Sequence, residues 1–195
     1  MTDGNHRAVF LDRDGVLNRA IVRDGKPHTP AGLKDLEILP GVPEALRTLR
    51  AAGFLLIVVT NQPDVARGTQ TREAVEAIDA ALRAALPLDD IFVCYHDDPD
   101  DCDCRKPRPG LLIRAADKYR IDLAASFMIG DRWKDIEAGR RAGCRTILVD
   151  CDFAEKGPET KPDHCVRALP EAAALICSPI PSGENTPVQV SRTDS

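Results

Sequence analysis

Two aspartates two residues apart, Asp12 and Asp14, close the apolar run Ala8-Val9-Phe10-Leu11, and Gly15 follows them. A run of this size fits a short buried strand, so Asp12 would sit where a sheet meets solvent. Glycine there lets the chain turn sharply back past it. A carboxylate in such a place can act as a nucleophile if a second acid protonates the leaving group and later activates water. Two anions this close also require a cation, and oxygen ligands favour Mg²⁺. The same residues also read as an acidic turn that merely ends a strand, and the segment alone does not separate the two readings.

A second group is Cys94-Tyr95-His96, followed after five residues by Cys102-Asp103-Cys104. Three thiolates and one imidazole on a short loop fit a closed, structural Zn²⁺ site with no coordination position left for catalysis. Unligated thiols clustered in a polar loop would be open to oxidation. The surrounding Asp97, Asp98, Asp100, Asp101 and Asp103 lack the spacing and glycine of a calcium-binding EF-hand, so a solvated acidic face is expected. The other cysteines, Cys144, Cys151, Cys165 and Cys177, are scattered and are expected to be small core residues.

The elements that must position these groups alternate along the chain. Apolar runs at 8–11, 54–59, 91–93, 126–129 and 146–149 are separated by helical patterns at 43–52, 72–86, 109–119 and 133–142, with a last helix at 169–176. This alternation predicts an α/β fold, a Rossmann-like three-layer sandwich with a mostly parallel sheet covered on both faces. Four of the runs end at Asp12, Thr60, Cys94 and Asp131, and ligands of such sheets bind beyond the carboxyl ends of the strands. The 195 residues suit one domain over 1–177, with a Ser/Pro/Gly-rich tail over 178–195 expected to be disordered.

Lys and Arg number 26 and Asp and Glu 31, a formal charge of −5, which disfavours a nucleic-acid partner. The longest apolar run, Phe54–Val59, is far short of the roughly 20 residues a membrane helix needs. Asp3, Asn5, His6 and Arg7 precede the first apolar run where a secretory segment would be apolar, and the seven cysteines are odd in number. Reduced thiols and a cytoplasmic location are therefore expected. A monomer is favoured for the oligomeric state.

Three more segments follow Asp12-Arg13-Asp14-Gly15 in order: Thr60-Asn61-Gln62, Arg105-Lys106-Pro107, and Gly130-Asp131-Arg132 with Asp135. Together they resemble the four motifs of the haloacid-dehalogenase superfamily of phosphatases, over residues 8–150. The resemblance implies that Asp12 is the nucleophile and Asp14 the general acid/base, while Thr60 and Lys106 hold the phosphoryl group. It also implies that Asp12, Asp131 and the main-chain carbonyl of Asp14 bind Mg²⁺, with Asp135 orienting that shell. Phosphoryl transfer needs chiefly charge neutralisation and in-line positioning, which such a set supplies.

The cysteine-rich loop runs directly into Arg105-Lys106, a combination that resembles the histidinol-phosphatase and heptose-bisphosphate-phosphatase group. Thr60-Asn61-Gln62 followed by Val65-Ala66-Arg67-Gly68 is more similar to the D-glycero-D-manno-heptose 1,7-bisphosphate phosphatases. The implied substrate is a small sugar phosphate losing its 7-phosphate, with histidinol phosphate as the alternative. Two departures stand out. Pro63-Asp64 replaces the usual Ser-Gly near the substrate, and Tyr95 replaces a proline between the cysteine and the histidine.

Between Asp14 and Thr60 lie 45 residues, of which a helix and a strand take roughly 17, leaving a loop of about 25. The remaining loop is too short for a separate cap domain. The site should be open and roofed by the 19–39 loop, the Gln62–Gly68 segment and the zinc loop at 94–104. Asn61, Gln62, Arg67, Arg105 and Arg132 are the candidate substrate-binding residues. Arg105 is favoured for a second phosphate because it is tethered between Cys104 and Lys106. Two rival classes weigh less. A non-catalytic zinc module would not need the set Asp12, Asp14, Thr60, Lys106 and Asp131, and a polynucleotide end-phosphatase conflicts with the acidic balance.

Overall fold

A computed structural model describes residues 5–23, 26–149 and 161–178. Of the expected tail only Ser178 is among them, and Cys151 also lies outside the described residues. In chain order the elements are β1 (Arg7–Leu11), β2 (Ile21–Arg23), β3 (Lys26–His28), α1 (Val42–Ala51), β4 (Phe54–Asn61) and α2 (Arg72–Ala85). They continue with β5 (Asp90–Cys94), α3 (Gly110–Tyr119), β6 (Phe127–Gly130), α4 (Trp133–Ala142), β7 (Arg145–Val149), β8 (His164–Val166) and α5 (Leu169–Cys177).

Six strands form one sheet in the order β5-β4-β1-β6-β7-β8. Each neighbouring pair in it is parallel. The strands read as continuous apolar runs because both faces are buried. Val9, Leu11, Leu56, Val58 and Ile129 point to a layer holding Leu46 and Leu49 of α1, Ile78 and Leu82 of α2, and Leu169 of α5. The alternate residues Ala8, Phe10, Ile57, Val59 and Met128 face Leu111, Leu112 and Ala115 of α3 and Ala138 of α4. This is the three-layer sandwich the alternation predicts.

Three features differ from expectation. Within the 19–39 loop, β2 and β3 pair as a small antiparallel ribbon, Ile21 opposite His28, far too small for a cap domain. The short edge strand β8 adds a sixth member, fixed by Asp163, whose carboxylate accepts hydrogen bonds from the Thr146 amide (2.7 Å) and hydroxyl (2.9 Å). The scattered cysteines are not all core residues. Cys144 is buried, but Cys177 is half-buried and Cys165 is exposed, since an edge strand leaves one face uncovered.

Candidate active site

The sheet order places the ends of β1 and β6 side by side. The chain leaves β1 toward β4 and leaves β6 toward β7, so the two connections diverge and open a crevice at a topological switch point. Asp12 follows β1 and Asp131 follows β6, while Thr60 and Asn61 end β4 and Cys94 ends β5. The sequence-predicted residues thus meet on the carboxyl edge of four adjacent strands. Asp12, Asp14, Thr60, Gln62, Lys106 and Asp131 line a cleft of about 320 Å³, at the small end for ligand sites. All three expected roof segments contribute to its wall, through His28 and Thr29, Asp64 and Arg67, and Asp98 and Arg105.

At the floor, carboxylate oxygens of Asp12, Asp131 and Asp135 lie within 4.8 Å of one another, all three residues buried. Lys106, 2% exposed, donates through Nζ to Asp12 Oδ1 (2.8 Å) and to the Val59 carbonyl (2.7 Å), and pairs with Asp135 Oδ1 (2.6 Å). The other oxygen of Asp135 accepts the Arg132 amide (3.0 Å), so this residue holds the lysine and the start of α4. Two glycines make the packing possible. A Cβ on Gly15, at φ +90°, would lie 2.0 Å from Asp131 Oδ2, and one on Gly130 would lie 2.1 Å from the Asp135 Cβ.

Among the described residues one buried ammonium sits among three buried carboxylates, with the Arg132 charge a lesser counterweight at Asp131, so positive charge is in short supply. Burial, reinforced by Asp135 and Asp14 and opposed by Lys106, raises the Asp12 carboxyl to about 6. Burial and the neighbouring Asp12 and Asp135 push Asp131 well above the usual carboxylate range. Burial disfavours the Lys106 charge, but the coulombic pull of Asp12 and Asp135 outweighs it and raises its pKa. Both oxygens of Asp131 are buried without a hydrogen-bond partner among the described residues. Orphaned carboxylate oxygens beside a second carboxylate, in a site short of positive charge, fit a small oxygen-ligated divalent cation.

Asp14 is held differently. Its Oδ1 accepts from Asn18 Nδ2 (2.8 Å), and its Oδ2 accepts from Gln62 Nε2 (2.9 Å) and from Arg13 (3.0 Å). Gln62 Nε2 also donates to Thr60 Oγ1 (2.9 Å). Gln62, expected to bind substrate, therefore organises the Asp14 carboxylate while also lining the cleft. Asn61 clasps the Lys106 backbone at both ends, donating to its carbonyl (3.0 Å) and accepting its amide (3.1 Å). The Asn61 side chain thereby locks β4 to the lysine loop.

The Cys94, His96, Cys102 and Cys104 ligand atoms also lie within 4.8 Å of one another. Their closest edges run from 3.1 Å, between Cys94 and Cys104, to 3.7 Å, between Cys94 and Cys102. Sulfur atoms about 2.3 Å from one zinc ion would be spaced by roughly 3.8 Å, near the longest of these edges, so the set fits a single tetrahedral ion. Burial pushes the Cys94 thiol up, a cost that a coordinated metal offsets by holding the thiolate. Cys94 and Cys104 belong to the core face beneath the loop, which fixes the approach of the next two residues, Arg105 and Lys106.

Asp98, Asp100, Asp101 and Asp103 of the acidic loop are exposed, the solvated face expected, yet several of the loop's carboxylates also reach basic partners. Asp97 takes a bidentate pair from Arg67 (2.6 and 2.7 Å), and Asp98 accepts from Arg105 Nε (2.6 Å). Asp101 pairs with Arg108, and Asp103 with Arg114 (2.5 Å). Arg67, Arg105 and Arg132, the candidates for a second phosphate, all line the cleft. The first two are aimed by zinc-loop aspartates.

Sequence reading passed over two residues. Arg13 is fully buried and bridges Asp14 to Asp79 of α2 (2.8 Å). The signal was available. Asp79 falls on the apolar stripe of α2 formed by Val75, Ile78 and Leu82, where an unpaired charge is costly. Lys134, beside Asp98, also lines the cleft.

Comparison with known proteins agrees with this geometry. The profile of the HAD-hydrolase-like family matches residues 103–172. The D-glycero-β-D-manno-heptose-1,7-bisphosphate 7-phosphatase of Escherichia coli (strain K12) is 39% identical over 154 residues, 73% of this chain and 78% of that protein. The D-glycero-D-manno-heptose-1,7-bisphosphate 7-phosphatase of Thermosynechococcus vestitus is 34% identical over 193 residues, 88% of this chain and 95% of its own. Among solved structures, the D,D-heptose 1,7-bisphosphate phosphatase of B. bronchiseptica, complexed with magnesium and phosphate, superposes with a TM-score of 0.71. It is 30% identical, over 87% of this chain and 97% of that one. The chain belongs to the haloacid-dehalogenase superfamily of phosphomonoester hydrolases, in the family of these phosphatases.

Proposed function

We propose that this chain removes the 7-phosphate from D-glycero-D-manno-heptose 1,7-bisphosphate through an aspartyl-phosphate, leaving the heptose 1-phosphate. The observation that carries the reading is the buried cluster of Asp12, Lys106 and Asp131 at the switch point, with Asp14 above it. An oxygen of Asp12 attacks phosphorus as the bond to the sugar oxygen breaks. Asp14 gives that oxygen its proton, so the alcohol leaves neutral. Lys106 neutralises equatorial phosphoryl charge and Thr60 orients it. In the second step Asp14 takes a proton from water, which attacks phosphorus, and Asp12 and inorganic phosphate are released.

Mg²⁺ would be held by Asp12, Asp131 and the Asp14 carbonyl, and it would supply the positive charge the floor lacks. Zn²⁺ at Cys94, His96, Cys102 and Cys104 would be structural, stiffening the loop that delivers Arg105 and Lys106. Arg105, with Arg67, would meet the distal phosphate, and Arg132 would line the path between. Reduced thiols and a soluble sugar-phosphate substrate suit the cytoplasm. Among the described residues no helix is long and apolar enough to cross a membrane.

The test is phosphate release across a panel of sugar mono- and bisphosphates and histidinol phosphate with Mg²⁺ present. The bisphosphate should have the highest kcat/KM, with heptose 1-phosphate identified as product by phosphorus NMR. A higher kcat/KM for histidinol phosphate would overturn the assignment.

A further inference from the structure

Asp14 can serve as acid and base only if its carboxyl is aimed at the leaving oxygen. Three side chains aim it, and only Arg13 among them is charged. Arg13 does not line the cleft, and its side chain is fully buried. Its guanidinium is a rigid planar fork, so fixing one nitrogen fixes the direction of the others. One terminal nitrogen is fixed by Asp79 Oδ1 at 2.8 Å. The other reaches Asp14 Oδ2 at 3.0 Å and the hydroxyl of Thr29, a residue of the cleft wall. Among the described residues its Nε has no hydrogen-bond partner, so the fork takes its orientation from these contacts.

Asp79 lies 66 residues from Arg13, on the buried stripe of α2, outside every motif that carries the family resemblance. A charge there serves no packing purpose, since an aliphatic side chain would suit Val75, Ile78 and Leu82 better. We propose that Asp79 is a positioning residue for the acid/base: it orients the Arg13 fork, which in turn aims Asp14 at the leaving oxygen. The proposal rests on the phosphatase mechanism above, in which Asp14 protonates the leaving group.

The alternative is that the pair only tethers α2 to the sheet, and leaving-group dependence separates the two. A p-nitrophenolate departs without a proton, whereas an alkoxide does not, so misaiming Asp14 harms alkyl esters selectively. The comparison uses kcat/KM, which covers the chain of steps up to transfer onto Asp12. Asp79→Leu should lower kcat/KM for glycerol 3-phosphate about 10–100-fold, within the range general acid catalysis supplies. The loss on p-nitrophenyl phosphate should stay within about threefold, as should inhibition by inorganic phosphate, because the Asp12–Lys106 floor is untouched. Asp79→Asn keeps an acceptor for the guanidinium and should restore the alkyl ester to within about threefold of wild type.

If Asp79→Leu fails to fold, the pair Arg13→Met with Asp79→Leu replaces the buried ions by apolar groups, a change often tolerated, and carries the same expectation. Equal losses on both esters would overturn the proposal in favour of a tether. No loss on either would show that Asn18 and Gln62 aim Asp14 unaided. A wild-type protein releasing phosphate neither from these two esters nor from any sugar phosphate of the panel above would instead remove the phosphatase mechanism, and this inference with it.

Discussion

Two clusters of metal-ligating side chains sit on the same edge of the sheet, and they are built in opposite ways. The carboxylates of Asp12 and Asp131 face a cleft and leave oxygens without partners. The sulfurs and imidazole of the Cys94 loop face one another and stand outside the cleft wall. One arrangement would keep ligand capacity for a substrate and a hard cation, and the other would spend it on a thiophilic one. They are joined through Arg105 and Lys106, so the closed cluster would act on chemistry by holding these two residues at the open one. Substitutions in the first should remove turnover at little cost in stability, and those in the second should remove stability first.

The largest effect should therefore come from Asp12→Asn. An amide cannot form an acyl phosphate, so phosphate release should fall by more than about 10⁴-fold while the melting temperature stays near that of wild type. Asp14→Asn should lose about 10²–10⁴-fold, the share general acid–base assistance supplies. Retention of most activity by Asp12→Asn would refute covalent catalysis.

Next comes the thiolate cluster. Protein purified without added metal should carry about one zinc per chain by elemental analysis, because the ligand set is complete and closed. Cys102→Ser should cost about 3 kcal/mol and lower Tm by roughly 6–12 °C for a domain of this size. Its kcat should fall by up to about a hundredfold, the scale for a misplaced catalytic group. A zinc-free protein with full activity and unchanged Tm would dissolve the distinction between the clusters.

Arg105 lies between them, and its loss sharpens the comparison. A charge-assisted hydrogen bond is worth roughly 1.5–3 kcal/mol, so Arg105→Ala should lose one to two powers of ten in kcat/KM on the bisphosphate. The loss on p-nitrophenyl phosphate should be much smaller. Equal losses would assign Arg105 to the loop, through Asp98, rather than to a distal phosphate.

Much of this was legible in the sequence because a strand announces itself locally. The runs before Asp12, Thr60 and Asp131 are apolar without interruption, and the polar residue ending each had to emerge on one edge. The thiolate cluster was legible for the same reason, its ligands being at most ten residues apart. The pairs Arg67–Asp97 and Arg13–Asp79 were not, because they span 30 and 66 residues and depend on which elements the sheet brings together. Strand β8 gave no periodic signal in three residues, with only Val166 buried.

The amino edge of the sheet offers the smallest effect and a control for all of these. Asp90 opens β5 far along that strand from Cys94. Its carboxylate accepts from Lys118 (2.8 Å) and Tyr119 (3.0 Å) of α3, from Arg83 of α2 (2.8 Å) and from the Ile91 amide (2.8 Å). Burial alone would raise its pKa, but the hydrogen bonds from Lys118, Arg83 and Ile91 outweigh it and hold the carboxyl at about 2. A carboxyl whose folded pKa is depressed stabilises above its unfolded value near 3.9, and that contribution is lost as pH falls from there toward about 2. The pairs are largely solvent-screened, so Asp90→Asn should cost about 1 kcal/mol at pH 7, or roughly 2–4 °C in Tm. The difference from wild type should shrink in melts below pH 3. Turnover of p-nitrophenyl phosphate at 25 °C should be unchanged, because no contact of Asp90 reaches the carboxyl edge. A fall in kcat without a fall in Tm would mean that the two edges are coupled through α2 or α3.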